Sequence, residues 1–216
     1  MKPHKFFDAY LDNDLGVLEK DMLLLRDSLI SGDFENIPKE RLVDYQNKKD
    51  SMDSQVTGLA GYYNIFTLGY SSVDKIKDAL GDLTLEACDY YEVDPKPLDY
   101  QIRGWLNVTY GSPSYKDIDR TESLSSIDNF HEHNDGLGMP GMHGYYSVSA
   151  EPSITYYLIN KTDLYENHNI NNRVVLSETG HPHRIDWWEY ETPRITIAYD
   201  VCPKEMLDDG ISIPLW

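Results

Sequence analysis

The histidines of this chain are concentrated in its second half, at spacings that suit metal binding. All but one of the seven follow residue 130. Within the segment 129–135, which reads NFHEHND, His133 and Asp135 are two residues apart. Residues two apart on a β-strand point to the same side, so this imidazole and this carboxylate can bind one ion. A histidine from a neighbouring strand, such as His183, would complete a set of three ligands.

Two histidines and one carboxylate on one face of an octahedron leave three positions open, the arrangement of non-haem Fe(II) sites. Two alternatives arise within the same residues. His131-x-His133 competes with His133-x-Asp135, and Asp135 is favoured because a carboxylate suits a hard ferrous ion. His181 competes with His183, and His183 is favoured by its spacing from Arg194 along the sequence. The expected metal ligands are therefore His133, Asp135 and His183, with His131 and His181 as alternates.

Arg194 adds an anion-binding group to this predicted site. It stands eleven residues after His183 and begins a β-like segment, so a short loop would bring it back beside the metal. A guanidinium binds a carboxylate through two parallel hydrogen bonds, and Thr196, on the same strand face, can add a hydroxyl donor. The pair suits the distal carboxylate of a dicarboxylic co-substrate.

Helical periodicity dominates the first part of the chain, and strand-like segments dominate the second. Apolar residues recur at threes and fours from Phe6 through Leu29, and again over Ser72–Tyr91, where Ser72 can cap the helix. After Leu98 the predicted strands are Gly104–Tyr110, Gly144–Ala150, Ser153–Ile159, Arg173–Leu176 and Arg194–Val201. This order indicates a helical layer packed on a β-sandwich or barrel.

Composition limits the classes of partner. With 216 residues we expect one domain, and 37 acidic against 19 basic residues give a net charge of −18, which disfavours nucleic acids. The longest apolar run near the N-terminus is too short to span a bilayer, and acidic residues there disfavour a signal peptide. Cys88 and Cys202 are too few and too distant for a disulfide framework. We expect a soluble, intracellular protein without a membrane partner.

In five stretches the chain resembles the 2-oxoglutarate/Fe(II)-dependent oxygenases, and in particular a small branch with bacterial and cyanophage-type members. The matching stretches are Gly104–Val108, His131–Asp135, Gly144–Ile159, His183–Ile185 and Arg194–Asp200. The resemblance implies a double-stranded β-helix, a jelly-roll or cupin-like core, at about residues 98–203, with the mainly helical residues 1–97 packed on it. It also implies Fe(II), 2-oxoglutarate and O₂ at the mouth of this core, and for a phage-encoded member a role in the host cytoplasm.

The activity that the resemblance implies is hydroxylation, or a related C–H oxidation, coupled to decarboxylation of 2-oxoglutarate. The substrate stays open between an amino acid, a peptide residue and a small metabolite, and the oligomeric state is open too. Candidate substrate-binding residues are Trp187, Trp188 and Tyr156. Two alternatives from other classes are a non-catalytic cupin-like barrel that binds a metal or ligand and a zinc hydrolase, although the chain has no HExxH motif.

Overall fold

The computed structural model describes residues 2–50, 56–111, 130–132, 139–159, 163–207 and 210–216. It is mostly β, with three α-helices among the described residues: α1 (Leu15–Ser31), α2 (Leu42–Asp50) and α3 (Ser71–Tyr91). The strands are β1 (Phe7–Tyr10), β2 (Tyr100–Thr109), β3 (Met142–Ser149), β4 (Ile154–Ile159), β5 (Asp163–His168), β6 (Arg173–Glu178), β7 (His183–Ile185), β8 (Arg194–Pro203) and β9 (Ile213–Pro214).

The first helix is shorter than its sequence pattern predicts. Its N-cap is Asp14, whose carboxylate accepts hydrogen bonds from the backbone N–H groups of Gly16 at 3.1 Å and Val17 at 3.2 Å. This cap satisfies N–H groups that have no partner inside the helix, so α1 begins here rather than at Phe6. The prediction of a helix from Phe6 is wrong at this end, because Phe7–Tyr10 pairs with β6 as an edge strand.

Helix α3 matches its predicted span almost residue for residue. One face of the helix is buried, and the helix packs against β1 and β6 of the larger sheet. The predicted cap at Ser72 is not found: Tyr70 occupies the N-cap position without a side-chain hydrogen bond. The buried residues are Val73, Ile76, Leu80, Gly81, Leu83, Thr84, Ala87 and Cys88.

The strands form two antiparallel sheets in a jelly-roll-like arrangement. The larger has the order β1-β6-β3-β8-β2-β9, and the smaller has the order β5-β4-β7. An isolated antiparallel bridge between His131 and His183 continues the smaller sheet beyond β7. The expectation of a mostly β fold with helices on its outer side is confirmed. Four described strands lay outside the predicted set: the edge strand β1, the largely exposed β5, the three-residue β7 and the two-residue β9.

Strand β8 shows how alternation divides core from cavity. Ile195, Ile197 and Tyr199 belong to the main apolar cluster, which also contains the buried faces of α1 and α3. Arg194, Thr196 and Ala198 instead line a cavity. Because the register pairs Ala198 with Trp105 on one side and with Tyr145 on the other, three neighbouring strands contribute to the same lining. No helix in the described part of the chain is long and apolar enough to cross a membrane.

Candidate metal and co-substrate site

A cavity of about 430 Å³ lies between the two sheets. The larger sheet supplies residues of β2, β3 and β8, and the smaller sheet supplies residues of β4 and β7. Its lining consists of Thr57, Ala60, Trp105, Asn107, Thr109, His131, His143, Gly144, Tyr145, Thr155, Tyr157, His183, Ile185, Arg194, Thr196 and Ala198. Among these are three histidines and one arginine, the residue types expected of a metal centre with an anion-binding group.

The three histidines adjoin one another. The ring centroids of His131 and His183 are 4.3 Å apart, and those of His143 and His183 are 4.7 Å apart. His183 is placed by β7, which pairs it with Tyr157 of β4, and His143 lies on β3 in the opposite sheet. Imidazoles from two sheets therefore meet at one end of the cavity.

The histidine set differs from the predicted ligand set in part. His183 and the alternate His131 are brought together, whereas His133 and Asp135 lie outside the described residues. His143 was noted in the sequence but had no predicted role. Its position could have been found from alternation along β3, because Tyr145, two residues on, also lines the cavity.

The three imidazoles at this end of the cavity suit Fe(II), since imidazole nitrogen is a common iron ligand. Among the described residues, the ligand atoms of His131, His143 and His183 do not all lie within 4.8 Å of one another. The described residues alone therefore do not complete a three-histidine ligand set, and the sequence predicts His133 and Asp135 as further donors.

Arg194 is a buried cation in the same cavity. Its residue is 1% exposed, its Nε donates to Ser153 Oγ at 2.9 Å, and its Nη1 has no hydrogen-bond partner within the described chain. The described residues form no ion pair with it either. Burial lowers the pKa of Arg194 to about 10, as expected where a guanidinium is removed from water. A carboxylate entering the cavity would supply the missing acceptor and charge.

Two of the hydroxyl groups that line the cavity with Arg194 lie on β8 and on its neighbour β3. Thr196 is two positions along β8 and is 1% exposed, and Tyr145 lies on the neighbouring β3. Burial raises the pKa of Tyr145 to about 12, so its phenol stays protonated and can donate a hydrogen bond. The predicted neighbours Arg194 and Thr196 are thus found on one face of one strand.

His181, the other predicted alternate, lies in a different cluster. Its Nε2 is 3.3 Å from Glu178 Oε1, and His4 Nδ1 is 3.2 Å from the same oxygen. Burial raises the pKa of Glu178, but the hydrogen bonds and positive charge from His181 and His4 outweigh this effect and lower the pKa to about 2. Glu178 is therefore an ionised carboxylate between two imidazoles.

The three residues predicted to bind substrate are not part of the cavity lining. Trp187 is 36% exposed, and Trp188 is buried with its indole N–H donating to the Thr192 carbonyl. Tyr156 points away from the cavity side, as its neighbour Tyr157 faces it, and lies 5.3 Å from the Arg184 guanidinium. The described aromatic residues that line the cavity are instead Trp105, Tyr145 and Tyr157, together with the histidines.

The fold and the site together define a class of protein: a β-sandwich with histidines and a buried arginine between its two sheets. No protein-family model matches the chain, and no curated protein matches it. Among solved structures, the chain is similar to the crystal structure of a Pseudomonas putida prolyl-4-hydroxylase, with a TM-score of 0.50 at 9% identity over 93% of each chain. At this identity the similarity shows a shared fold.

Structures of EvdO2 from Micromonospora carbonacea var. aurantiaca are also similar, at lower scores. The first has a TM-score of 0.37 at 9% identity and covers 66% of this chain and 65% of that one. The second, complexed with 2-oxoglutarate, has a TM-score of 0.33 at 8% identity and covers 54% and 56%. These scores are too low to support an argument about topology.

Proposed function

We propose that this protein is a non-haem Fe(II) oxygenase that couples oxidation of 2-oxoglutarate to hydroxylation of a second substrate, a small molecule or a peptide. The observation that carries the proposal is Arg194, buried beside the histidine cluster with a guanidinium nitrogen that has no acceptor within the described residues. In the reaction, 2-oxoglutarate, O₂ and a C–H bond give succinate, CO₂ and a C–OH group.

The strand order supports a double-stranded β-helix as the core. β2, β8, β3 and β6 are neighbours in the larger sheet, whereas β7, β4 and β5 face them in the smaller one. From β5 to β8, successive strands switch sheet at each step, which is the way a jelly roll is wound. The similarity in fold to a prolyl-4-hydroxylase agrees with this interpretation.

In this function His183 and the segment that begins at His131 hold the iron. The ligands are His133, Asp135 and His183, or His131, His133 and His183 in the alternate register. The bound iron supplies the oxidising chemistry, as cofactors do, and the protein supplies orientation and exclusion of water. Imidazoles near the ends of paired strands are well suited to this task, because hydrogen-bonded backbone fixes their direction.

Arg194 binds the distal carboxylate of 2-oxoglutarate, and Thr196 adds a hydroxyl donor beside it. The buried position makes this contact strong, since water does not compete for the guanidinium. Tyr145 donates a third hydrogen bond from β3. These groups fix one end of the co-substrate and direct the other end toward the histidines.

The direct test is a coupled assay on protein reconstituted anaerobically with Fe(II). Addition of 2-oxoglutarate and O₂ should form succinate, even without the second substrate, through slow uncoupled turnover. Arg194→Ala should abolish succinate formation at low 2-oxoglutarate while iron binding is kept. If neither succinate formation nor 2-oxoglutarate binding is detected in the iron-loaded protein, the proposal is wrong and a non-catalytic barrel is favoured.

A further inference from the structure

Outside the cavity, a second cluster of metal-binding side chains joins distant parts of the chain. His4 precedes β1, Glu178 is the last residue of β6, and His181 lies in the loop between β6 and β7. Their ligand atoms all lie within 4.8 Å of one another. The His4 and His181 rings meet edge to face with centroids 4.3 Å apart. The cluster is independent of the proposed oxygenase activity.

The cluster is largely shielded from solvent. The exposed fractions of the side chains are 7% for His4, 19% for Glu178 and 13% for His181. Exposed carboxylates and histidines meet often by chance, but a mostly buried carboxylate requires compensation of its charge.

The distances fit a shared metal better than a pair of ionic hydrogen bonds. Charge-assisted N–H···O bonds are about 2.7–2.9 Å long. The two nitrogen–oxygen distances to Glu178 Oε1 are 3.2 and 3.3 Å. Two ligand atoms that are each about 2.0–2.1 Å from a tetrahedral zinc ion lie roughly 3.3–3.4 Å apart. Both nitrogen–oxygen distances therefore match the edge of a zinc coordination tetrahedron, and the two imidazole nitrogens lie within 4.8 Å of each other.

A neighbouring hydroxyl orients the carboxylate. Tyr91 donates from its phenol to Glu178 Oε1 at 3.3 Å and accepts a hydrogen bond from the Lys5 backbone N–H at 3.1 Å. Residues that hydrogen-bond to metal ligands fix the direction in which those ligands point. Tyr91 of α3 thus supports the one anionic member of the cluster.

We propose that His4, Glu178 and His181 form a second metal site, which binds Zn²⁺ and fastens the N-terminal segment to the loop that precedes His183. Imidazole and carboxylate are common zinc ligands, and three such ligands suit a tetrahedral zinc ion. With three protein ligands, the fourth position takes water. The role is structural: the metal holds the β6–β7 loop against β1.

The test counts zinc equivalents in protein stripped with a chelator, reloaded with Zn²⁺ and dialysed. Wild type should retain two equivalents, because Zn²⁺ also occupies the proposed iron site. His4→Gln should retain one and His183→Ala one, and the double variant none. His168→Gln is the matched control, since His168 is an exposed histidine on β5, and it should retain two.

The pattern of equivalents separates the two proposals. One equivalent in wild type and in His4→Gln, with none in His183→Ala, overturns the second site. One equivalent in wild type and in His183→Ala, with none in His4→Gln, keeps the second site and contradicts the proposed iron centre.

Cobalt spectroscopy gives a readout that does not depend on stoichiometry. Co²⁺ in the His183→Ala variant should show the intense visible bands of a four-coordinate site, and Glu178→Gln in that background should remove them. Tyr91→Phe should weaken zinc binding by roughly tenfold or more without removing it. Weak six-coordinate bands in the His183→Ala variant, unchanged by Glu178→Gln, would show a hydrogen-bonded cluster with no metal.

Discussion

His131 and His183 are hydrogen-bonded to each other through their backbones in both directions, His131 N–H to the His183 carbonyl at 3.0 Å and the reverse at 2.8 Å. In such an antiparallel pair the two side chains lie on the same face of the sheet. The pairing therefore directs both imidazoles toward the cavity and places the start of the proposed metal-binding segment beside His183, the proposed distal ligand. His131 belongs to one of the two proposed registers, His131-x-His133, and the other is His133-x-Asp135.

The first prediction separates those registers. His183→Ala should abolish Fe(II)-dependent turnover in either case, because it removes a histidine common to both ligand sets. If His133-x-Asp135 is correct, Asp135→Ala should also be inactive while His131→Ala retains activity. If His131-x-His133 is correct, His131→Ala should be inactive and Asp135→Ala active. Iron content by mass spectrometry measures binding, and circular dichroism checks that each variant folds. Full activity in His183→Ala would contradict both registers.

The second prediction concerns the co-substrate. Arg194→Lys keeps a positive charge but loses the planar fork, so 2-oxoglutarate should bind roughly ten- to a hundredfold more weakly, equivalent to about 1.5–3 kcal/mol. Titration of 2-oxoglutarate into the iron-loaded protein, followed by charge-transfer absorbance, measures this loss. Arg26→Lys, on α1 and outside the cavity lining, is the control and should bind normally. Unchanged affinity in both Arg194→Lys and Arg194→Ala would exclude Arg194 as the carboxylate-binding group.

The third prediction uses a glycine of β3. A Cβ at Gly144 would overlap the Val175 carbonyl oxygen and lie 2.9 Å from the Tyr199 ring, both held in the sheet. Gly144→Ala should therefore destabilise the protein by on the order of 3 kcal/mol, or prevent folding. Urea unfolding measures the change. Gly61→Ala meets nothing within 4 Å and should leave the unfolding midpoint nearly unchanged. Equal stability of the two variants would show that β3 and β6 can separate at little cost.

The fourth prediction tests the cap that separates β1 from α1. Asp14→Ala removes the acceptor for the N–H groups of Gly16 and Val17, and should lower the free energy of unfolding by about 1 kcal/mol. Asp12→Ala removes an exposed ion pair with Lys75 and should have a smaller effect. Both are compared by urea unfolding. A larger loss in Asp12→Ala than in Asp14→Ala would contradict the assigned cap.

Much of the fold could be predicted because its signals are local. The apolar periodicity over 72–91 and the alternation over 194–201 each depend on neighbouring residues, and both elements are found. β1 was missed because its four residues form a strand by pairing with the distant β6, a contact that no local pattern encodes. β7 was missed because three residues are too few to show the alternation of apolar and polar side chains that marks a strand.

The site was predictable to the extent that chain order reflects strand geometry. Arg194 and Thr196 share a strand face, so their spacing alone placed them together. The approach of His143 to His183 depends on how the two sheets face each other, and sequence spacing does not contain that information. The same holds for His181. It is only two positions before His183, yet it lies in the loop and contacts Glu178.

The connectivity of the larger sheet has a consequence for the order in which the protein folds as it is synthesised. β1 is joined to β6 by an ion pair between Asp8 and Arg173, 165 positions apart, and β2 to β8 by one between Arg103 and Asp200, 97 positions apart. On the ribosome, α1 and α3 emerge with their apolar faces bare long before these partner strands exist. Closing such long loops is entropically costly and slow. The nascent helices must therefore wait for β6 and β8, a period in which chaperone binding and slower translation would favour the native sheet over aggregation.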